Sequence, residues 1–174
     1  MRAKRCSLAA ALSFIVLAYV AYPYVTLYRI GHAIHTGDAR ALQTLVDWHS
    51  VRAGIKRDIS EQIARNPQAV AGNALPAFGA SFVRHATANA VDRHVTPQGL
   101  VTAARRGPAP SEAGGAGVHV AWAFFNDPTH FAVTLHAGHQ PRPIRLELTL
   151  HDTEWRVTRV WLPHDLLDEA NSRT

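Results

Sequence analysis

From Ile144 to His151, apolar and polar residues alternate without exception: Ile144, Leu146, Leu148 and Leu150 against Arg145, Glu147, Thr149 and His151. Successive strand residues point to opposite faces, so this stretch specifies a strand that is dry on one side and wet on the other. Such a strand cannot stand alone. It needs neighbours along its edges and a cover over its apolar face. The same period recurs nearby. Phe131, Val133 and Leu135 alternate with His130, Ala132, Thr134 and His136, and the stretches 118–125 and 155–162 read as further strands. Asn126-Asp127-Pro128, the Gly138 to Pro143 region and His151-Asp152-Thr153-Glu154 supply the connections. The spacing predicts a four-stranded antiparallel meander with one wet face. In the last strand the apolar phase changes between Val157 and Val160, which predicts a bulge.

The cover has to come from upstream, where the period changes to that of helices. The stretch 24–58 reads as three short helices divided by two sharp punctuation points. Tyr24, Leu27, Tyr28, Gly31 and Ile34 define one face of the first, with Pro23 separating it from the run before it. Gly37 ends it in a left-handed conformation and Asp38 caps the second, whose buried residues are Ala41, Leu42, Leu45 and Val46. After Asp47-Trp48-His49, Ser50 is expected to cap a third helix with Val51, Ile55, Ile59 and Ile63 along one stripe. Asn66-Pro67 closes it. Phe78, Phe82, Ala86 and Ala90 then suggest a closely packed helix opening near Pro76, and Thr96-Pro97 starts another that Gly107-Pro108 stops. Helices first and strands afterwards make an α+β fold, several N-terminal helices on an antiparallel meander. The plan is similar to the cone-like nuclear-transport-factor-2 or cystatin-like folds, a likeness of fold that licenses no function.

Residues 1–22 stand apart. Arg2, Lys4 and Arg5 precede an uncharged run from Cys6 to Tyr22. A basic start before an apolar run is the pattern of a secretory signal, with Val16-Leu17-Ala18 and Tyr19-Val20-Ala21 as boundaries where it could be cut. At about 17 residues the run is also near the lower limit for a membrane-spanning helix. Either way the body of the protein is expected outside the cytoplasm, as an inner-membrane anchored or a released periplasmic or secreted domain. The expected organisation is therefore 1–22 signal or anchor, 23–106 helical part, 107–117 flexible loop, 118–165 sheet of the same domain and 166–174 tail. The net charge of +5 owes three charges to this leader, and the remaining acids and bases are interleaved. That pattern gives no basic stripe, and nucleic acid is not expected as a partner. Arginine outnumbers lysine 16 to 2, the usage of a GC-rich bacterial genome. The single cysteine, Cys6, lies in the leader, so the domain has no disulfide.

Few residues suggest chemistry. His32 with His35, and His136 with His139, are the closest histidine pairs among eleven. No third ligand accompanies them at zinc spacing, so no metal site is assigned, and surface histidines that titrate near neutrality are expected instead. Asp92-Arg93-His94 reads as local pairing at a helix end, and Ser81 lacks the second glycine of a nucleophile elbow. The glycine-rich 107–117 stretch has no Lys-Ser/Thr pair to hold phosphate. The most suggestive group is Asp47, Trp48, Arg52 and Lys56, an anion or ligand site at a helix start on one reading, caps and local ion pairs on the other. No catalytic residue and no cofactor is assigned.

In order along the chain, Tyr22-Pro23-Tyr24, Leu27-Tyr28, Gly37-Asp38, Leu45-Val46-Asp47-Trp48, Val51-Arg52 with Lys56, Val91-Asp92, Val95-Thr96-Pro97-Gln98-Gly99-Leu100, Trp155-Arg156-Val157 and Trp161-Leu162-Pro163 resemble the bacterial domain-of-unknown-function family 2939. The resemblance implies an exported or anchored compact domain and no known activity. The expectation is a non-enzymatic interaction module whose partner is an envelope protein or component, touching the membrane through residues 6–22 if these are uncut. The alternative is a small-molecule binder or enzyme with a cavity between sheet and helices.

Overall fold

The computed structural model describes residues 2–65, 77–106, 118–137 and 143–161. Expectations for Asn66-Pro67, Pro76, the 107–117 connection, His139, Leu162-Pro163 and the tail lie outside the described residues. Among the described residues, five helices come first: α1 (Arg2–Thr36), α2 (Ala39–Leu45), α3 (Trp48–Arg65), α4 (Ala77–His94) and α5 (Pro97–Arg106). Four strands follow, β1 (Val118–Asp127), β2 (His130–Ala137), β3 (Ile144–His151) and β4 (Glu154–Trp161). They pair in the order β1-β2-β3-β4, every pair antiparallel, as the alternation requires.

One side of this meander is the core. Phe131, Val133, Leu148, Trp155 and Val157 are buried there against Ile30 and Ala33 of α1, Leu42 and Leu45 of α2 and Val51 and Ile55 of α3. Rings dominate the centre. Phe125 meets Phe131 edge-on at 5.0 Å between centroids and Trp155 at 5.7 Å, and Tyr24 meets Phe131 at 4.9 Å. Edge-to-face pairs set positive ring edges against negative faces and add about 0.5–1.5 kcal/mol each beyond burial. The phase change in β4 is a bulge: Leu148 pairs with Val157 but Glu147 pairs with Arg159, leaving Thr158 as the extra residue. A second irregularity, between Val120 and Trp122 of β1, has no counterpart among the sequence expectations.

Three local expectations change. Pro23 does not separate the leader from the domain, because α1 runs unbroken through it from Arg2 to Thr36. Proline in a helix removes one backbone hydrogen bond, but here its ring is fully buried, and packing offsets the loss. The buried face of α1 is also rotated from the expected one. Pro23, Thr26, Ile30 and Ala33 are buried, whereas Tyr28 is 74% exposed. Finally, α3 begins three residues earlier than expected. Asp47 is its cap, with Oδ1 accepting from the Ser50 N–H at 3.1 Å and Oδ2 accepting from the Ser50 hydroxyl at 2.6 Å. Serine supports the cap instead of being it.

The helix ends at Gly37-Asp38 and Thr96 form as expected. Gly37 takes φ +76° and Asp38 Oδ1 accepts from the N–H groups of Arg40 and Ala41 at 3.0 Å each. Thr96 Oγ1 accepts from the Gly99 N–H at 3.0 Å. Between α2 and α3 the chain passes along the free side of β4. There Val46 forms a parallel bridge with Val157, and the Asp47 N–H donates to the Val157 carbonyl at 2.9 Å.

Candidate functional site

The four candidate residues divide into two pairs with different surroundings. Asp47 and Trp48 belong to the α2–α3 junction. Trp48 is half-buried at the margin of the core, and its indole N–H donates to the Leu42 carbonyl at 3.1 Å, closing the end of α2. Burial opposes ionisation of Asp47. The Ser50 hydroxyl, the backbone N–H groups of Ser50 and His49 and the nearby His49 side chain outweigh it and hold the carboxyl below its ordinary range. Asp47 therefore stays charged as a cap, with both oxygens engaged.

Arg52 and Lys56 lie one turn apart on α3 and face α4 instead of Asp47. Lys56 Nζ is 2.6 Å from Asp92 Oδ1, and Arg52 Nε is 3.7 Å from the same oxygen. Arg52 also donates to the Val95 carbonyl at 3.4 Å. The expectation that Asp92 pairs locally with its neighbours is thus corrected, since its partners are 36 and 40 residues away. One carboxylate between two cations leaves a local excess of positive charge, but half-exposed pairs of this kind are worth about 1 kcal/mol or less. Lys56 also borders a narrow depression between α3 and α4, lined by Ile59, Ser60, Thr87, Ala88 and Val91.

Among the described residues, the centre of the core is filled by side chains. Leu42, Phe131, Val133, Leu148 and Trp155, all at most 2% exposed, fill the space between sheet and helices. The Trp155 indole N–H is buried there without a hydrogen-bond partner. Among the described residues, no group of three or more histidines, cysteines and carboxylates converges on one point. His136 instead lies parallel to His119 across β1 and β2, 5.6 Å between ring centroids.

The surface holds a feature that no sequence motif announced. On β1, Val120, Trp122 and Phe124 are 50%, 50% and 58% exposed. The irregularity before Trp122 sets the phase of the remainder of the strand. Ala123 and Phe125 lie opposite Val133 and Phe131 on the core side, so Trp122 and Phe124 project on the other face, opposite Thr134 and Ala132. Their rings lie 6.2 Å apart at the margin of a face that carries Arg145, Glu147 and Thr149 on β3. The signal in the sequence was the run Ala121-Trp122-Ala123-Phe124-Phe125, apolar at every position, where a strand with one wet face should alternate.

A profile of the family described as "Protein of unknown function (DUF2939)" matches residues 12–103, more than half of the chain. The chain belongs to the DUF2939 family. No curated protein and no solved structure matches it. The DUF2939 match begins inside the apolar part of α1 and ends within α5. It therefore contains Asp47, Trp48, Arg52, Lys56 and Asp92, while the β1 patch lies beyond it.

Proposed function

We propose that the chain is an exported domain that binds a partner polypeptide of the cell envelope through strand β1, without catalysing a reaction. The observation that carries this reading is the exposed aromatic pair, Trp122 and Phe124, on an edge strand of the sheet. Leaving two such side chains in water forgoes roughly 3–5 kcal/mol of burial, an investment that an interface would recover. The occupant that fits is an extended segment adding itself to the β1 edge. That edge is ten residues long and contains neither lysine nor proline, the usual protections against strand addition. Export is supported by the basic start and by the exposed apolar helix that follows it.

The test is a photo-activated cross-linker placed at position 124, with position 145 on the polar part of the same face as control, in intact cells. A discrete protein adduct from 124, absent from 145 and lost when Trp122→Glu is added, is the expected result. If the 124 variant melts like the parent yet gives no protein adduct, the reading fails.

A further inference from the structure

The apolar leader and the domain share one helix, and among the residues whose burial is described the contacts with the sheet begin at Tyr19. Every residue from Ala11 to Ala18 is exposed. Tyr19 is the first to pack: its ring stacks on Phe125 at 6.0 Å and leans on Trp155 at 6.3 Å. Its hydroxyl donates to the carbonyl of Pro128 in the turn between β1 and β2. One turn later Pro23 is buried, and Thr26 after it.

That boundary decides between the two fates open to the leader. The apolar residues that precede Tyr19 run from Cys6 to Ala18, which is 13 residues. As a helix they reach about 20 Å, short of the ~30 Å hydrocarbon layer, which takes about 20 residues. A full span would have to continue to about Val25 and so draw Tyr19 and Pro23 into the bilayer. The β1–β2 turn would follow, with the charged Asp127 carboxylate beside Pro128, at about 2.5–3.5 kcal/mol for a carboxylate deep in the membrane. The folded domain and a complete span therefore compete for the same residues. Thirteen residues are, by contrast, an ordinary length for the apolar region of a cleaved signal.

We infer that the Ala18–Tyr19 peptide bond is a processing site, hydrolysed by a membrane-bound peptidase that accepts small side chains one and three positions before the cut. Water adds to the Ala18 carbonyl carbon and the C–N bond breaks. Ala18 leaves with a carboxylate, and Tyr19 keeps the amino group. Ala18 satisfies the small-residue pattern and Val16 is the less bulky of the two alternatives three positions before a cut; the other boundary, after Ala21, would put Tyr19 there. Cutting there would also remove the Tyr19 ring from the aromatic cluster that it completes. Cleavage precedes docking of the helix, while the chain is still extended in the export machinery, and the product is a released domain whose first residue is its first core residue.

The processing site rests on the export reading, and one experiment separates their failures. The full-length gene is expressed in bacterial cells, the cells are fractionated, and the N-terminus of the recovered protein is read by intact mass and by sequencing. The expected product starts at Tyr19 and lies in the soluble fraction outside the cytoplasm, while Ala18→Phe accumulates as intact chain in the membrane. An intact parental chain in the membrane, digested by protease added from outside, would overturn the processing site and leave export standing. A product starting at Tyr22 would overturn it equally. An intact chain in the cytoplasm would remove the export reading itself.

Discussion

Asp127 shows how much one surface carboxylate can organise. It ends β1, and its Oδ1 accepts from the Thr129 N–H at 2.8 Å and from the Thr129 hydroxyl at 2.9 Å, with His130 Nδ1 3.0 Å away. The hydrogen bond with the His130 side chain is the first cause of a pKa lowered from 3.8 to about 2, and the two Thr129 bonds add to it. A depressed carboxyl stabilises the fold above its unfolded value and loses that contribution as pH falls through the folded one. The tip of the β1–β2 hairpin should therefore loosen between about pH 4 and pH 2. A carboxyl NMR titration should place the Asp127 midpoint near 2, and His130→Ala should raise it. An unmoved midpoint in that variant would assign the shift to Thr129 alone. The turn was legible in the sequence because Asp, Pro and Thr determine it within four residues. The Lys56–Asp92 pair was not, because no local rule reaches across 36 positions.

At the scale of elements, two contacts invite measurement. α3 approaches β4 at Gly54, where an added Cβ would stand 2.9 Å from Cδ of Arg159, a side chain held by Asp58. Gly54→Ala gains about 1 kcal/mol of helix propensity yet should destabilise the protein by roughly 1–2 kcal/mol, since crowding outweighs the gain. In an Arg159→Ala background the sign should reverse, so a double-mutant cycle from chemical melts reads the coupling directly. The second contact is the β3–β4 turn, where Asp152 and Thr153 both take positive φ, 46° and 76°. Tight hairpins want this geometry, but a β-branched residue there is strained. Thr153→Gly should stabilise by about 1 kcal/mol in the same assay; a loss of stability would mean that the Thr153 side chain makes compensating contacts. Helix ends were readable because caps are local, as Gly37-Asp38 and Thr96 show. The face that α1 buries was not, since choosing Thr26 over Tyr28 depends on where the sheet lies. Trp122 and Phe124 were recognisable as strand residues, but their outward aim depends on the irregularity before them.

For the whole molecule, the decisive junction is the docking of α1 across the end of the sheet. Tyr19→Ala should lower stability by roughly 1–3 kcal/mol, a fall of several degrees in melting temperature, because an aromatic contact inside a ring cluster is lost. Leu17→Ala, at a position 67% exposed, should leave the melt unchanged. Equal effects would mean that the helix packs differently from the docking described. The order of helices and strands was evident from periodicity alone. The continuity of α1 through Pro23 was not, because a proline reads as a stop unless a core is waiting to receive its ring.

The bridge between Val46 and Val157 has a consequence for assembly. With Asp47 donating to the Val157 carbonyl, the crossing chain blocks the middle of the β4 margin. The β1 margin has no such bridge among the described residues, and there the Tyr24 hydroxyl donates to the Ala123 carbonyl at 3.1 Å. A sheet with two open margins can propagate indefinitely, copy upon copy, into a fibre. With one margin, growth terminates after a single addition, and two copies meeting there would close a symmetric pair with nothing left to extend.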